Sequence, residues 1–208
     1  MTHISTYTSC AGGLAPLQAS LLDLEASTVL QRTYNPHLVT GLLQTRAYAT
    51  AVFSACVDVL DVPDDIEQAV TARLARQRLL GNPDHQFCLL IGEAALLRTV
   101  GGPEVMAEQI RHLQAVLTHA GPNVEIGIVP VDAPLVAPGA NFVLREHSVD
   151  IETVIGVTTS TDARELALAT RTFDRLCQIA AYRADAHAIL AGALCSHTSE
   201  PEGPLDLS

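Results

Sequence analysis

Seven side chains in this 208-residue chain combine residue types and spacings suited to acid–base chemistry. Gln44 and Tyr48 are four apart, the spacing that places two residues on one helical face. Arg73, Arg76 and Gln77 repeat that pattern at i, i+3 and i+4. Glu93 comes just after the apolar run Phe87-Cys88-Leu89-Leu90-Ile91, and His147 follows Glu146 at an expected strand end. An imidazole titrates near neutrality. Beside Arg73 or Arg76, the Glu93 carboxylate would stay ionised. Without such a partner, burial would raise its pKa and make it a general acid or base. The expectation is that Glu93 or His147 moves protons on an apolar substrate while Tyr48 or an arginine steadies an enolate. Gln44, Arg73, Arg76 and Gln77 would hold the ligand. The plainer reading of the same residues is an Arg–Glu pair locking helix to sheet, with His147 on a surface hairpin.

Other chemistries have weaker support. His112 and His119 are seven apart, not at the i, i+3 or i+4 spacing of helical metal pairs, so no metal is expected. Gly101-Gly102-Pro103 lacks the lysine and glycine spacing of a phosphate loop. No GxSxG motif marks a nucleophile. No cofactor is expected.

The elements that must position these groups can be read in order. Residues 1–16 read as a flexible arm, because 1–13 are Thr/Ser-rich and end in Gly12-Gly13. Pro16 opens a helix expected over about 17–33, which Asn35-Pro36 stops. In Val39-Thr40-Gly41-Leu42-Leu43-Gln44-Thr45, Gly41 permits a tight turn. Leu42 and Leu43 then start a helix through Tyr48, Ala51, Val52 and Cys56. Pro63-Asp64-Asp65 starts another helix, with acids where the dipole favours them and Ile66, Val70 and Leu74 inside. The run at 87–91 suits a strand buried on both faces. A strong amphipathic helix spans about 104–119. Val124–Val129 alternates as a half-buried strand does. Residues 130–139 hold three prolines and read as a loop over a pocket. Asn141–Glu146 and Ile151–Val157 are two more strands joined by a hairpin at 147–150. Asp162 caps a closing helix to about 193, with a break near Tyr182-Arg183. Residues 194–208 read as a disordered tail. The sum is an α+β fold: a helical N-terminal half on a small, mostly antiparallel sheet, forming one domain over 17–193.

Composition narrows the partners. Hydrophobic residues make up 48% of the chain with no Trp, so the core is aliphatic. Net charge is -11 and every cation is an arginine. An acidic surface repels nucleic-acid backbones, so no DNA or RNA contact is expected. Without lysine there is no Schiff-base chemistry. Five cysteines without a CxxC pair suggest reduced thiols in a cytoplasmic protein. No apolar run approaches the roughly 18 residues of a membrane span. The expected partners are a small apolar molecule, with a protein partner as the alternative, and a homodimer is an open option.

Four segments carry a resemblance. They are Val39–Thr45 with Tyr48; Arg73-x-x-Arg76-Gln77; Glu93-Ala94-Ala95-Leu96 with Gly101–Met106 and Gln109; and Asn123-Val124 through Pro130. In this order they resemble the C-terminal domain of actinobacterial Xre-type helix-turn-helix regulators, an antitoxin-like group that includes WhiJ-type developmental regulators. The resemblance spans about residues 20–192. It implies the fold and a pocket that senses a ligand or partner. The chain departs from that pattern at Thr40, where the family has Pro, and at Ile155-Gly156-Val157, where it has an aromatic residue and a glutamate. It is also expected to lack the helix-turn-helix. The resulting expectation is a regulator-derived domain turned to small-molecule work, as a cofactor-free cyclase or isomerase of natural-product biosynthesis. The alternatives are an antitoxin-like module that binds a protein partner or effector without DNA, and an accessory domain with no pocket.

Overall fold

The apolar run at 87–91 forms a strand flanked on both sides. In the computed structural model, which describes residues 1–136 and 140–199, it is β3 (Gln86–Gly92). The other strands are β1 (Thr2–Ser5), β2 (Leu30–Asn35), β4 (Val124–Val129), β5 (Phe142–Leu144), β6 (Val149–Thr153) and β7 (Gly156–Ser160). The helices are α1 (Thr6–Cys10), α2 (Leu14–Ala26), α3 (Arg46–Leu60), α4 (Ile66–Arg76), α5 (Glu93–Leu97), α6 (Pro103–His119), α7 (Ala163–Ile179) and α8 (Arg183–Thr198). One seven-stranded sheet runs β1-β7-β6-β5-β2-β3-β4. Its β2-β3-β4 portion is parallel and the remaining pairings are antiparallel, as expected of a mostly antiparallel α+β fold.

The parallel portion has the long helical connections that parallel strands need. Residues of β3 alternate between two apolar layers. Phe87, Leu89 and Ile91 pack with Ile110 and Leu113 of α6 and Leu190 of α8. Cys88 and Leu90 face Phe173 and Leu176 of α7. A third cluster, of Leu14, Ala49, Phe53, Ala69 and Val70, joins α2, α3 and α4.

Several expectations need correction. Residues 1–16 are not a loose arm: β1 pairs with β7 and Cys10 and Leu14 are buried. The Asp65 carboxylate accepts from the Leu14 and Ala15 amides at 2.8 Å each, capping α2 from another element. Gly13 is needed there, because its φ is +102° and a Cβ would stand 2.3 Å from the Asp65 carboxylate. The helix expected to 33 ends at Ala26. Leu30–Asn35 is a strand because it pairs with β3 on one side and β5 on the other. The span 151–157 is not one strand: Val154-Ile155 is the turn between β6 and β7. Leu42 does not start a helix. Gly41–Leu43 is a single 3₁₀ turn, Gln44 is extended, and α3 begins at Arg46, where the Thr45 hydroxyl accepts from the Tyr48 amide.

Asp162 does cap the closing helix, by accepting from the Arg164 amide. The break falls at 180–182, where Ala181 exchanges two backbone hydrogen bonds with Ile128 on the sheet edge. That crossing sends α7 to one face and α8 to the other. Residues 194–198 belong to α8 and not to a tail. Residues 200–208 lie outside the described residues.

Candidate functional site

Tyr48, Gln44, Arg73, Arg76 and Gln77 do meet, on the sheet face opposite α7, but they close on one another. Gln44 donates from Nε2 to the Val39 carbonyl at 2.7 Å and accepts at Oε1 from Arg73 at 2.7 Å. Gln77 donates to the Gln44 carbonyl at 2.6 Å. The Tyr48 hydroxyl accepts the Val39 amide at 3.2 Å in a fully buried setting. Burial pushes that hydroxyl's pKa up. Arg76 forks onto Glu25, with contacts of 2.7 and 2.6 Å, and also donates to Gln18. Arg73 donates to Gln18 and lies 4.0 Å over the Phe53 ring. Burial first, then the Arg76 charge, pulls the Arg73 guanidinium down to about 10, still cationic at neutral pH. Gln109 reaches across from α6, donating to the Leu43 carbonyl and accepting from the Thr45 amide. This network holds the 39–45 segment in place. It leaves Tyr48 no approach to a substrate.

The expected proton-moving pair is split. Glu93 follows the C-terminal end of β3 and accepts the Val131 amide at 2.8 Å. It pairs with neither Arg73 nor Arg76, because Arg76 belongs to Glu25. His147 is exposed in the β5–β6 turn. Leu144 lies opposite Arg32 at the start of β2, and Glu146 accepts from the Leu30 amide. That turn therefore sits at the opposite end of the sheet from Glu93. His112 is half-buried, its imidazole pushed down by burial, and His119 binds the Ala115 carbonyl. Among the described residues, no group of three or more His, Cys, Asp or Glu is placed to hold a metal ion. No helix there is long and apolar enough to cross a membrane.

The open space lies on the other face, between α7 and the β5-β6-β7 strands. There a cleft of about 390 Å³ is lined by Tyr34, Phe142, Val149, Ile151, Leu168, Ala169 and Leu176, with Thr158, Ser160, Glu165 and Thr172 among them. The register explains this lining. Thr158, Ile151, Phe142 and Tyr34 stand side by side across four strands on one face. From α7, Glu165, Leu168, Ala169, Thr172 and Leu176 follow the 3/4 spacing of one helical face. Tyr34, Phe142 and Phe173 meet edge to face, with centroids 6.1 and 6.3 Å apart. Ile151 and Leu168 stay 40% and 58% exposed, so the cleft is incompletely filled. Residues 134–136 of the expected covering loop wall a second cleft of about 410 Å³ with Arg175, Gln178 and Ile179. The rest of that expectation, at 137–139, lies outside the described residues.

None of the seven expected site residues lines the cleft. The available signal was the α7 stripe itself, in which a carboxylate and a leucine share the face of core positions Phe173 and Leu176.

A family model, that of the domain of unknown function DUF5753, matches residues 18–192. No curated protein and no solved structure matches the chain. The matched span holds the sheet from β2 to β7, all of α7 and α8 as far as Gly192, and the chain belongs to the DUF5753 family.

Proposed function

We propose that this domain binds a small apolar molecule in the cleft along α7, as a ligand-sensing module. The observation that carries this reading is the cleft itself: an apolar floor, a few polar groups and a volume within the range of small-molecule sites. The resemblance to the effector domains of Xre-type regulators supports sensing over turnover. A cyclase or isomerase needs an acid and a base within reach of one substrate, and Glu93 and His147 stand at opposite ends of the sheet. The alternative, a module that binds a protein partner, draws its support from Val154 and Ile155, which are 84% and 72% exposed at the β6–β7 turn.

Nile red, a neutral apolar dye, tests the reading. Its fluorescence should rise saturably with one dye per chain. Ala169→Trp, which fills the cleft, should abolish that rise, while Glu93→Ala and His147→Ala leave it intact. Unchanged binding in Ala169→Trp would refute the assignment.

A further inference from the structure

Most polar groups of the cleft are already engaged. The Thr158 hydroxyl meets the His3 ring at 3.2 Å, Ser160 accepts from the Asp162 amide, and Thr172 donates to the Leu168 carbonyl. Two side chains differ. Among the described residues, neither the Glu165 carboxylate nor the Tyr34 hydroxyl makes a hydrogen bond or ion pair, and both line the cleft. The adjacent arginine, Arg164, is turned onto Asp162, and Met1, which also lines the cleft, is 82% exposed and makes no ion pair with Glu165 among the described residues. Burial raises the Tyr34 pKa, so its hydroxyl stays a proton donor at neutral pH.

The two groups mark a slot. Glu165 and Leu176 line it eleven residues apart on α7, a span of about 16 Å at the helical rise. The floor between them is Phe142, Ile151 and Leu168. A half-buried carboxylate without an ion-pair partner on the wall of an apolar slot favours an opposite charge on whatever enters it, because a neutral or anionic occupant covers that carboxylate without supplying a counter-ion. We propose that the cleft selects an elongated apolar molecule bearing a cationic amine, with the Glu165 carboxylate as counter-ion and the Tyr34 hydroxyl as a second polar contact. This rests on the cleft being the binding site.

Three probes with one skeleton separate the two claims: decylammonium, decanol and decanoate, titrated calorimetrically against the full chain below their micelle concentrations. Decylammonium should bind about tenfold more tightly than decanol, the ordinary gain from a charge-assisted contact, and decanoate should bind most weakly. Glu165→Gln should reduce decylammonium to the affinity of decanol while leaving decanol binding unchanged, which also shows that the variant is folded. Glu104→Gln provides the control. Glu104 is likewise an acid in a helix's first turn, on α6, and it tests whether the -11 net charge alone attracts the amine. Its preference ratio should match the wild type. Equal binding of decanol and decylammonium, or a preference that survives Glu165→Gln, would overturn the amine assignment and leave the apolar cleft standing. Failure of all three probes to bind would overturn both.

Discussion

On one face of the sheet, Arg76, Glu25, Gln18, Arg73, Gln44, Gln77 and Gln109 are tied into a hydrogen-bonded web that fixes residues 39–45. On the other, the groove along α7 is walled by Phe142, Ile151, Leu168 and Leu176 and keeps a carboxylate without a partner. The first region has the conspicuous residues and no room. The second has room and ordinary residues. A buried polar group is costly unless it is satisfied, so a rich polar cluster inside a domain is stable only when it satisfies itself. A binding site requires the opposite, surface and polar capacity left unfilled.

The contrast predicts that substitutions in the web damage stability and substitutions in the groove damage binding. The largest effect should come from Arg76→Ala, which strands Glu25 at 3% exposure. Breaking a buried pair from one side costs about 3–5 kcal/mol, to be read from urea unfolding. Replacing both partners, with Arg76→Met and Glu25→Leu, should recover most of that loss. Gln109→Ala should cost about 2 kcal/mol, because the Leu43 carbonyl and the Thr45 amide both lose their partner. Leu168→Ser in the groove should change stability by under about 0.5 kcal/mol, as for an exposed position. It should weaken Nile red binding severalfold, through lost apolar contact. A stability loss there as large as that of Gln109→Ala would erase the distinction between the regions. The smallest effect is kinetic. Burial raises the pKa of the Cys88 and Cys177 thiols behind the groove, so both should react slowly with a thiol reagent at pH 8, while exposed Cys195 reacts fast.

Parts of this arrangement were legible in the residues. The run at 87–91 reads as a strand because it is apolar on both sides, and 104–119 reads as a helix because its stripe is unbroken. The Asp162 cap and the break before Arg183 are local signals, and both are present in the structure. The strand β2 was hidden. Gln31-Arg32-Thr33-Tyr34 has neither an apolar run nor a clean alternation, and its conformation comes from partners far away in sequence, β3 and β5. The strand β1 was hidden for the same reason. The web was half legible: the spacing of Arg73, Arg76 and Gln77 put them on one face, but Glu25 and Gln18, which the two arginines bind, lie in another helix. The groove was invisible because it exists only once α7 lies across four strands whose pairings are set by tertiary contacts.

The decisive measurement is the crystallographic position of a soaked neutral probe, decanol. Its density should lie between α7 and the β5-β6 strands, against Phe142, Ile151 and Leu168. Density among Gln44, Tyr48 and Arg73, with the web opened to admit it, would place the binding site on the wrong face of the sheet.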